Sequence, residues 1–201
     1  MKDLRNILFI SDGSHWGEIA AEFLRERFSQ VDWLAWDHGT PQKRTFDEWI
    51  GCDILLSFKS DFIIPEWMLN RVRETAINFH PSIPQYRGIG GYRYAIDSAK
   101  EEFGVTCHFI TPDLDAGPII EVTRFPISNR MTERELRERT AEVALEQFQR
   151  IAVRISKREP LKANTNETWG TRLHTRVELE EYRQNAHHRT DNTSPAHHAE
   201  E

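Results

Sequence analysis

Three short, nearly unbroken apolar runs constrain this chain more than any other feature: residues 6–11 (Asn-Ile-Leu-Phe-Ile-Ser), 52–58 (Cys-Asp-Ile-Leu-Leu-Ser-Phe) and 75–80 (Thr-Ala-Ile-Asn-Phe-His). A strand with one wet face alternates apolar and polar side chains, whereas a strand covered on both faces reads as a continuous run. Between these runs the spacing changes. Ile19, Ala20, Phe23, Leu24 and Phe28 recur every three or four residues and form one apolar helix face, and residues 65–72 read as a second helix. Residues 31–36 supply a further strand. Strands alternating with helices in this way build an α/β fold around a mostly parallel sheet flanked by helices.

The pattern changes after His80. Residues 104–111 and 118–127 are extended runs joined by the tight segment Pro-Asp-Leu-Asp-Ala-Gly, which suits an antiparallel extension of the sheet. The capping box Thr132-x-x-Glu135 then opens a helix with Leu136, Ala144, Phe148, Ile151 and Ile155 along one face. Residues 1–160 are therefore expected to form one domain, residues 161–184 a C-terminal arm and residues 185–201 a disordered tail. The tail has no apolar side chain larger than alanine with which to repay the entropy of ordering. Its two His-His pairs have no cysteine near them and read as part of a polar end rather than a metal site.

Charge and cysteine usage exclude several classes. A formal net charge of −6 argues against a generic nucleic-acid binder, because neutralising phosphates needs a basic face. No apolar stretch approaches the roughly 20 residues that span a bilayer, so no membrane partner is expected. Residues 7–10 are too short for a signal-peptide core. Cys52 and Cys107 do not make a disulfide framework, and a reducing, cytoplasmic setting is the simpler reading.

Asn78 and His80 stand at the carboxyl end of a predicted parallel strand, where open α/β sheets place their ligands. Side chains alternate along a strand, so this amide and imidazole face the same way. Two readings fit: a ligand-facing polar pair, or an asparagine capping the strand beside a hydrogen-bonded core histidine. The loop that follows, residues 81–91, takes an irregular path imposed by its prolines and glycines. Asp115 lies in the turn between the later strands, where an aspartate commonly bonds its own backbone. Together the three residues carry an amide donor, an imidazole and a carboxylate, the equipment for stabilising an oxyanion while protons move. There is no Gly-x-Ser-x-Gly elbow and no cysteine placed as a nucleophile, so a covalent acyl-enzyme is not expected.

Two motifs carry a resemblance. Asn78-Phe-His80-Pro-Ser with Pro-x-Tyr-x-Gly at 84–88, and Gly104-Val-Thr-x-His-Phe with Leu-Asp115-x-Gly-Pro-Ile-Ile, resemble the catalytic domain of the formyltransferases that use 10-formyltetrahydrofolate. The resemblance covers about residues 6–157. It implies a Rossmann-like sheet with an antiparallel extension, shared by glycinamide ribonucleotide, methionyl-tRNA and nucleotide-sugar enzymes. Carried across by motif position, Asn78 would bind the formyl oxygen. His80 would stabilise the oxyanion and shuttle a proton, and Asp115 would orient His80 and help accept the proton of the amine. The folate would lie against Phe58, Ser60, Asp61, Phe62 and Ile63, closed on the other side by Ile110, Asp113 and Leu114, although Phe62 and Ile63 suit core packing equally well. The acceptor would meet Ser82, Tyr86, Gly88, Gly90 and Gly91. His108 would be a polar group behind the site rather than a base. Asp12-Gly13-Ser14 occupies the turn where the family can bind a phosphate, but Asp12 would repel an anion. No metal is implied.

The sequence also departs from the family pattern. The loop after His80 is one residue shorter than the common form, and nothing after residue 160 is long enough for the separate C-terminal barrel of the methionyl-tRNA enzymes. The arm, with Trp169, Arg172, Arg176, Leu179 and Tyr182, is expected to pack on the domain or on a second copy in a homodimer. The expected function is transfer of a formyl group from 10-formyltetrahydrofolate to a small-molecule amine, a nucleotide-linked amino sugar first, through direct attack and a tetrahedral oxyanion. Glycinamide ribonucleotide as acceptor, hydrolysis of the formyl donor, and a catalytically silent binding domain are the alternatives.

Overall fold

A computed structural model describes residues 2–37, 49–128 and 130–191. The chain opens with β1 (Asp3–Ser11), α1 (His15–Arg27) and β2 (Phe28–Ala35), followed by β3 (Cys52–Phe58), α2 (Glu66–Leu69) and β4 (Val72–His80). Then come β5 (Arg87–Gly88), α3 (Gly91–Asp97), β6 (Glu102–Phe109), β7 (Ile119–Pro126), α4 (Glu133–Ser156), β8 (Leu173–His174) and α5 (Arg176–Asp191). Among the described residues, one sheet runs in the order β2-β1-β3-β4-β6-β7, and β5 pairs with β8 apart from it. Strands β1 to β4 are parallel, while β6 and β7 run antiparallel to their neighbours, as the two later runs require.

The continuous apolar runs follow from burial on both faces. Ile7, Phe9, Ile54, Leu56, Phe58, Ile77 and Phe79 point into a core shared with Leu24 of α1 and Phe148 and Ile151 of α4. The intervening residues Leu8, Ile10, Cys52 and Leu55 point the other way, where Met68 of α2 joins Trp36, Phe62 and Ile64. The expected apolar face of α4 is buried, and its capping box forms: Glu135 N–H donates to Thr132 Oγ1 at 3.2 Å, and Thr132 N–H donates to Glu135 Oε2 at 2.8 Å.

The helix expected over residues 65–72 is a single turn. Val72 already pairs with Cys52 in the sheet, and Cys52 N–H takes the carbonyl of Arg71 at 3.3 Å, so the helix has no room to continue. Helix α3 follows the irregular loop in a stretch for which no element was expected, and the β5–β8 pair joins that loop to the arm. The arm folds back onto the domain: Leu179 is buried, and Arg183 reaches Glu133 of α4 at 3.0 Å. Turning Leu179 inward removes part of the apolar surface on which a homodimer was expected; Val177 and Tyr182 stay exposed. Helix α5 continues to Asp191, so residues 185–191 are helical where a disordered tail was expected, an extension of the turns anchored by Leu179. Residues 192–201, with the second His-His pair, lie outside the described residues.

Candidate active site

Strand β1 sends the chain to β2 on one side, and β3 then lies on the other, so the carboxyl ends of β1, β3 and β4 open onto a crevice at a topological switch. A cavity of about 700 Å³ occupies it. Because Ile77 and Phe79 face the α4 core, the alternation of β4 turns Asn78 and His80 into this cavity. Across the antiparallel register, Asn78 stands opposite His108 of β6. The turn after β6 returns Asp115 to the same place.

Four polar side chains therefore meet. Asp115 Oδ2 is 3.4 Å from His80 Nδ1, and Asp115 Oδ1 is 3.5 Å from His108 Nε2. Asn78 Nδ2 donates to His108 Nε2 at 3.1 Å and lies 3.4 Å from Asp115 Oδ1. His108 Nδ1 donates to its neighbour's carbonyl, Phe109 O, at 2.8 Å, and its Nε2 lies between the Asn78 amide and the Asp115 carboxylate. His80 Nε2 faces Tyr86 O at 2.8 Å. Both nitrogens of His80 thus look at acceptors, so a proton held at either one has a partner.

The carboxylate is held by its backbone surroundings. Gly88 N–H donates to Asp115 Oδ2 at 2.9 Å, while Arg87 Nε donates to Asp115 O at 2.7 Å and Arg87 Nη2 to Leu114 O at 2.9 Å. Asp115 itself adopts a left-handed φ of 44°, and a Cβ on Gly117 would overlap the carbonyl oxygen of Phe109, so the turn depends on that glycine. Burial pushes the Asp115 carboxyl up, but attraction to the neighbouring His80 and His108 rings and the Gly88 amide outweigh it and hold the group below the usual carboxylate range. Both cysteines lie away from this cluster with thiols raised by burial, Cys52 to about 11.

The remaining expected residues divide. Ser60, Asp61, Phe62, Ile63, Ile110, Asp113 and Leu114 line one side of the cavity, and Ser82, Gly88, Gly90 and Gly91 line another. Phe58 and Tyr86 do not line it. Phe58 packs against Phe9, Phe79 and Phe148, because the alternation of β3 gives Ser57 the cavity-facing position. Tyr86 turns inward beside Tyr94 and Phe103 and offers His80 only its carbonyl. Asp61 holds the loop in shape, accepting from Trp36 Nε1 at 3.0 Å and from Arg176 at 2.8 Å. At Asp12-Gly13-Ser14 the polar groups are already engaged: Ser14 Oγ donates to Asp12 Oδ1 at 2.6 Å, Gly13 N–H to Asp37 Oδ1 at 3.2 Å, and Lys59 pairs with Asp12 at 3.2 Å.

Residues 53–151 match the family model described as formyl transferase. Residues 53–151 are thus a formyltransferase-family segment. Over 116 residues it is 28% identical to the methionyl-tRNA formyltransferase of Wolbachia sp. subsp. Drosophila simulans, covering 57% of this chain and 39% of that protein. The chain thus spans less than half the length of that curated relative. Among solved structures, a Mycobacterium tuberculosis protein inferred to be a sugar N-formyltransferase superposes with a TM-score of 0.73 at 23% identity, over 90% of this chain and 79% of its own. The N-formyltransferase of Helicobacter canadensis, solved with folinic acid and dTDP-3-aminofucose, gives a TM-score of 0.69 at 21% identity over 89% of this chain and 72% of its own. These likenesses show the fold. Several elements of the cavity are not announced by the sequence: the direct contact of His108 with Asn78 and Asp115, and the far wall of Arg137, His174 and Arg183. Only His108 left a signal, since an antiparallel register sets one of its residues opposite Asn78.

Proposed function

We propose that this chain transfers a formyl group from 10-formyltetrahydrofolate to the amine of a small molecule, a nucleotide-linked amino sugar first. The convergence of Asn78 and His80 on Asp115, each 3.4 Å from its carboxylate, at the mouth of strand β4 carries the reading. The walls of the cavity fit two different ligands. On one side Trp36, Phe62, Ile64, Ile110 and Leu114 supply an apolar slot suited to the flat rings of a folate, with Asp113 at its edge. On the other side Arg137 and Arg183 share the single carboxylate of Glu133 at 2.6 and 3.0 Å, which leaves one positive charge in excess. That surplus suits the phosphates of a nucleotide-linked acceptor. Ser82 Oγ and His174 Nδ1, buried without a hydrogen-bond partner among the described residues, stand in this wall as well.

Bound in the apolar slot, the donor supplies the formyl carbon; the chain supplies the rest. As the acceptor nitrogen adds to that carbon, negative charge grows on the formyl oxygen. Asn78 meets it with the amide N–H that Asp115 holds only loosely, and His80 meets it from two residues further along the same face of the strand. Asp115, ionised throughout, steadies His80 as the proton of the amine moves through the imidazole to the donor nitrogen, whose bond to the formyl carbon breaks as the oxyanion collapses, so that tetrahydrofolate leaves and the new amide remains. Arg176 bridging to Asp61 ties the arm to the donor-side loop and helps keep water, the competing acceptor, from the carbon. No helix among the described residues is long and apolar enough to cross a membrane, and no cluster there could hold a metal.

The test is incubation with 10-formyltetrahydrofolate and a panel of amines. Tetrahydrofolate release that needs a nucleotide-linked amino sugar supports the reading. Release that needs only glycinamide ribonucleotide moves the acceptor, release without any amine makes the protein a hydrolase, and no release at all leaves a binding domain.

A further inference from the structure

Trp169 belongs to the arm, outside residues 53–151 and outside the cavity walls, yet its indole stands against both imidazoles of the site. Its ring centroid lies 4.9 Å from that of His108 with the planes at 88°, and 6.0 Å from that of His80 at 62°. Its Nε1 donates to Gly117 O at 2.7 Å, in the turn that carries Asp115. The next residue pins the arm: Gly170 N–H donates to Pro84 O at 2.9 Å, and a Cβ at Gly170 would press on Gln85 O at 2.8 Å. One indole therefore touches the two histidines and the turn of the aspartate at once.

A 2.8 Å bond fixes one nitrogen of each ring, His80 Nε2 on Tyr86 O and His108 Nδ1 on Phe109 O, but Asp115 holds the opposite nitrogens only loosely, at 3.4 and 3.5 Å, so each ring can still tilt about its last side-chain bond. Edge-to-face packing against a large aromatic supplies the missing orientation. We propose that Trp169 is a positioning residue of the formyl-transfer site, its ring setting the planes of His80 and His108 and its N–H holding the Asp115 turn. The proposal rests on the formyl-transfer reading and adds to it that the arm completes the catalytic group. Because Trp169 lines neither the donor nor the acceptor wall, its loss acts on turnover and not on binding.

The test compares the full-length protein with Trp169→Ala, Trp169→Phe and, as a control on α2, Trp67→Ala. Trp169→Ala is expected to lower kcat by about 10- to 100-fold with KM for donor and acceptor within about twofold of wild type. Trp169→Phe, which keeps a ring and loses the N–H, is expected to lower kcat by about 3- to 10-fold. Imidazole ¹⁵N spectra should show the His80 and His108 signals displaced in both Trp169 variants and unmoved in Trp67→Ala. Unchanged kcat, or a raised KM at unchanged kcat, overturns the proposal. If Trp169→Ala does not fold, Trp169→Phe decides, and parity with wild type overturns it. If the wild type formylates nothing, the function reading fails on its own. The spectra still decide the role of Trp169, and unmoved histidine signals overturn it.

Discussion

Asp115 sits where burial and ion pairing pull in opposite directions, and the pairing wins. Its carboxyl is held below its ordinary value, so its stabilising contribution is complete above the usual carboxylate pKa of about 3.9 and is lost as pH falls below that. Asp115→Asn keeps the shape of the side chain and removes the charge. It should reduce kcat by about 100-fold or more. In urea unfolding its stability deficit against wild type should shrink between pH 6 and pH 3, since the wild type alone has this contribution to lose; a deficit that grows on acidification would contradict the ion pairing. Any acid limb of the pH–rate profile above pH 5 must then arise from another group and should persist unmoved in a variant that spares the carboxylate. At the same scale, Cys52 and Cys107 are buried, with raised thiols, so native protein treated with iodoacetamide at neutral pH should keep its activity. Inactivation by modification of either thiol would count against a site without a cysteine nucleophile.

The elements differ in how plainly the residues announce them. Strands β1, β3 and β4 were legible because burial on both faces forces continuous apolar runs, and α4 because Thr132 and Glu135 mark its start. The pairing of β5 with β8 was not, because two residues on each side, 86 apart in sequence, carry no periodicity. The same divide runs through the site. Asn78 and His80 could be read from strand alternation, while Phe58 could not be placed until the face of β3 was known, and the reach of Trp169 depends on where the arm returns. Gly88 joins these levels: its φ is 80°, its amide holds Asp115, and a Cβ would overlap the carbonyl oxygen of His174. Gly88→Ala should therefore part β5 from β8 and lower kcat at least as far as a lost oxyanion donor does, about 100-fold, with a smaller change in melting temperature than a core substitution brings. A variant with wild-type turnover would show that the β5–β8 pair does not support the site. Thr132→Ala, by contrast, should cost about 1 kcal/mol in chemical denaturation and leave kcat unchanged.

For the whole molecule, the sheet supplies Asn78, His80 and His108, the loops after β3 and β6 an apolar wall, and α4 with the arm a basic one. Under the proposed function, this division would let a chain with a net charge of −6 take an anionic acceptor, because the surplus is local, at Arg137 and Arg183. Replacing both by alanine should raise KM for a nucleotide-linked acceptor by about 10-fold or more and leave KM for the donor unchanged; equal effects on both would dissolve the two-wall picture. The central claim is that the formyl group passes from the donor to an acceptor amine at Asn78, His80 and Asp115. Its most direct test is mass spectrometry of the acceptor after incubation with ¹³C-formyl-labelled 10-formyltetrahydrofolate, run with wild type and with His80→Ala. The expected result is label on the nitrogen of a nucleotide-linked amino sugar with wild type and about 100-fold less with the variant. Label recovered as formate whether or not an amine is present, or equal labelling by both proteins, would contradict it.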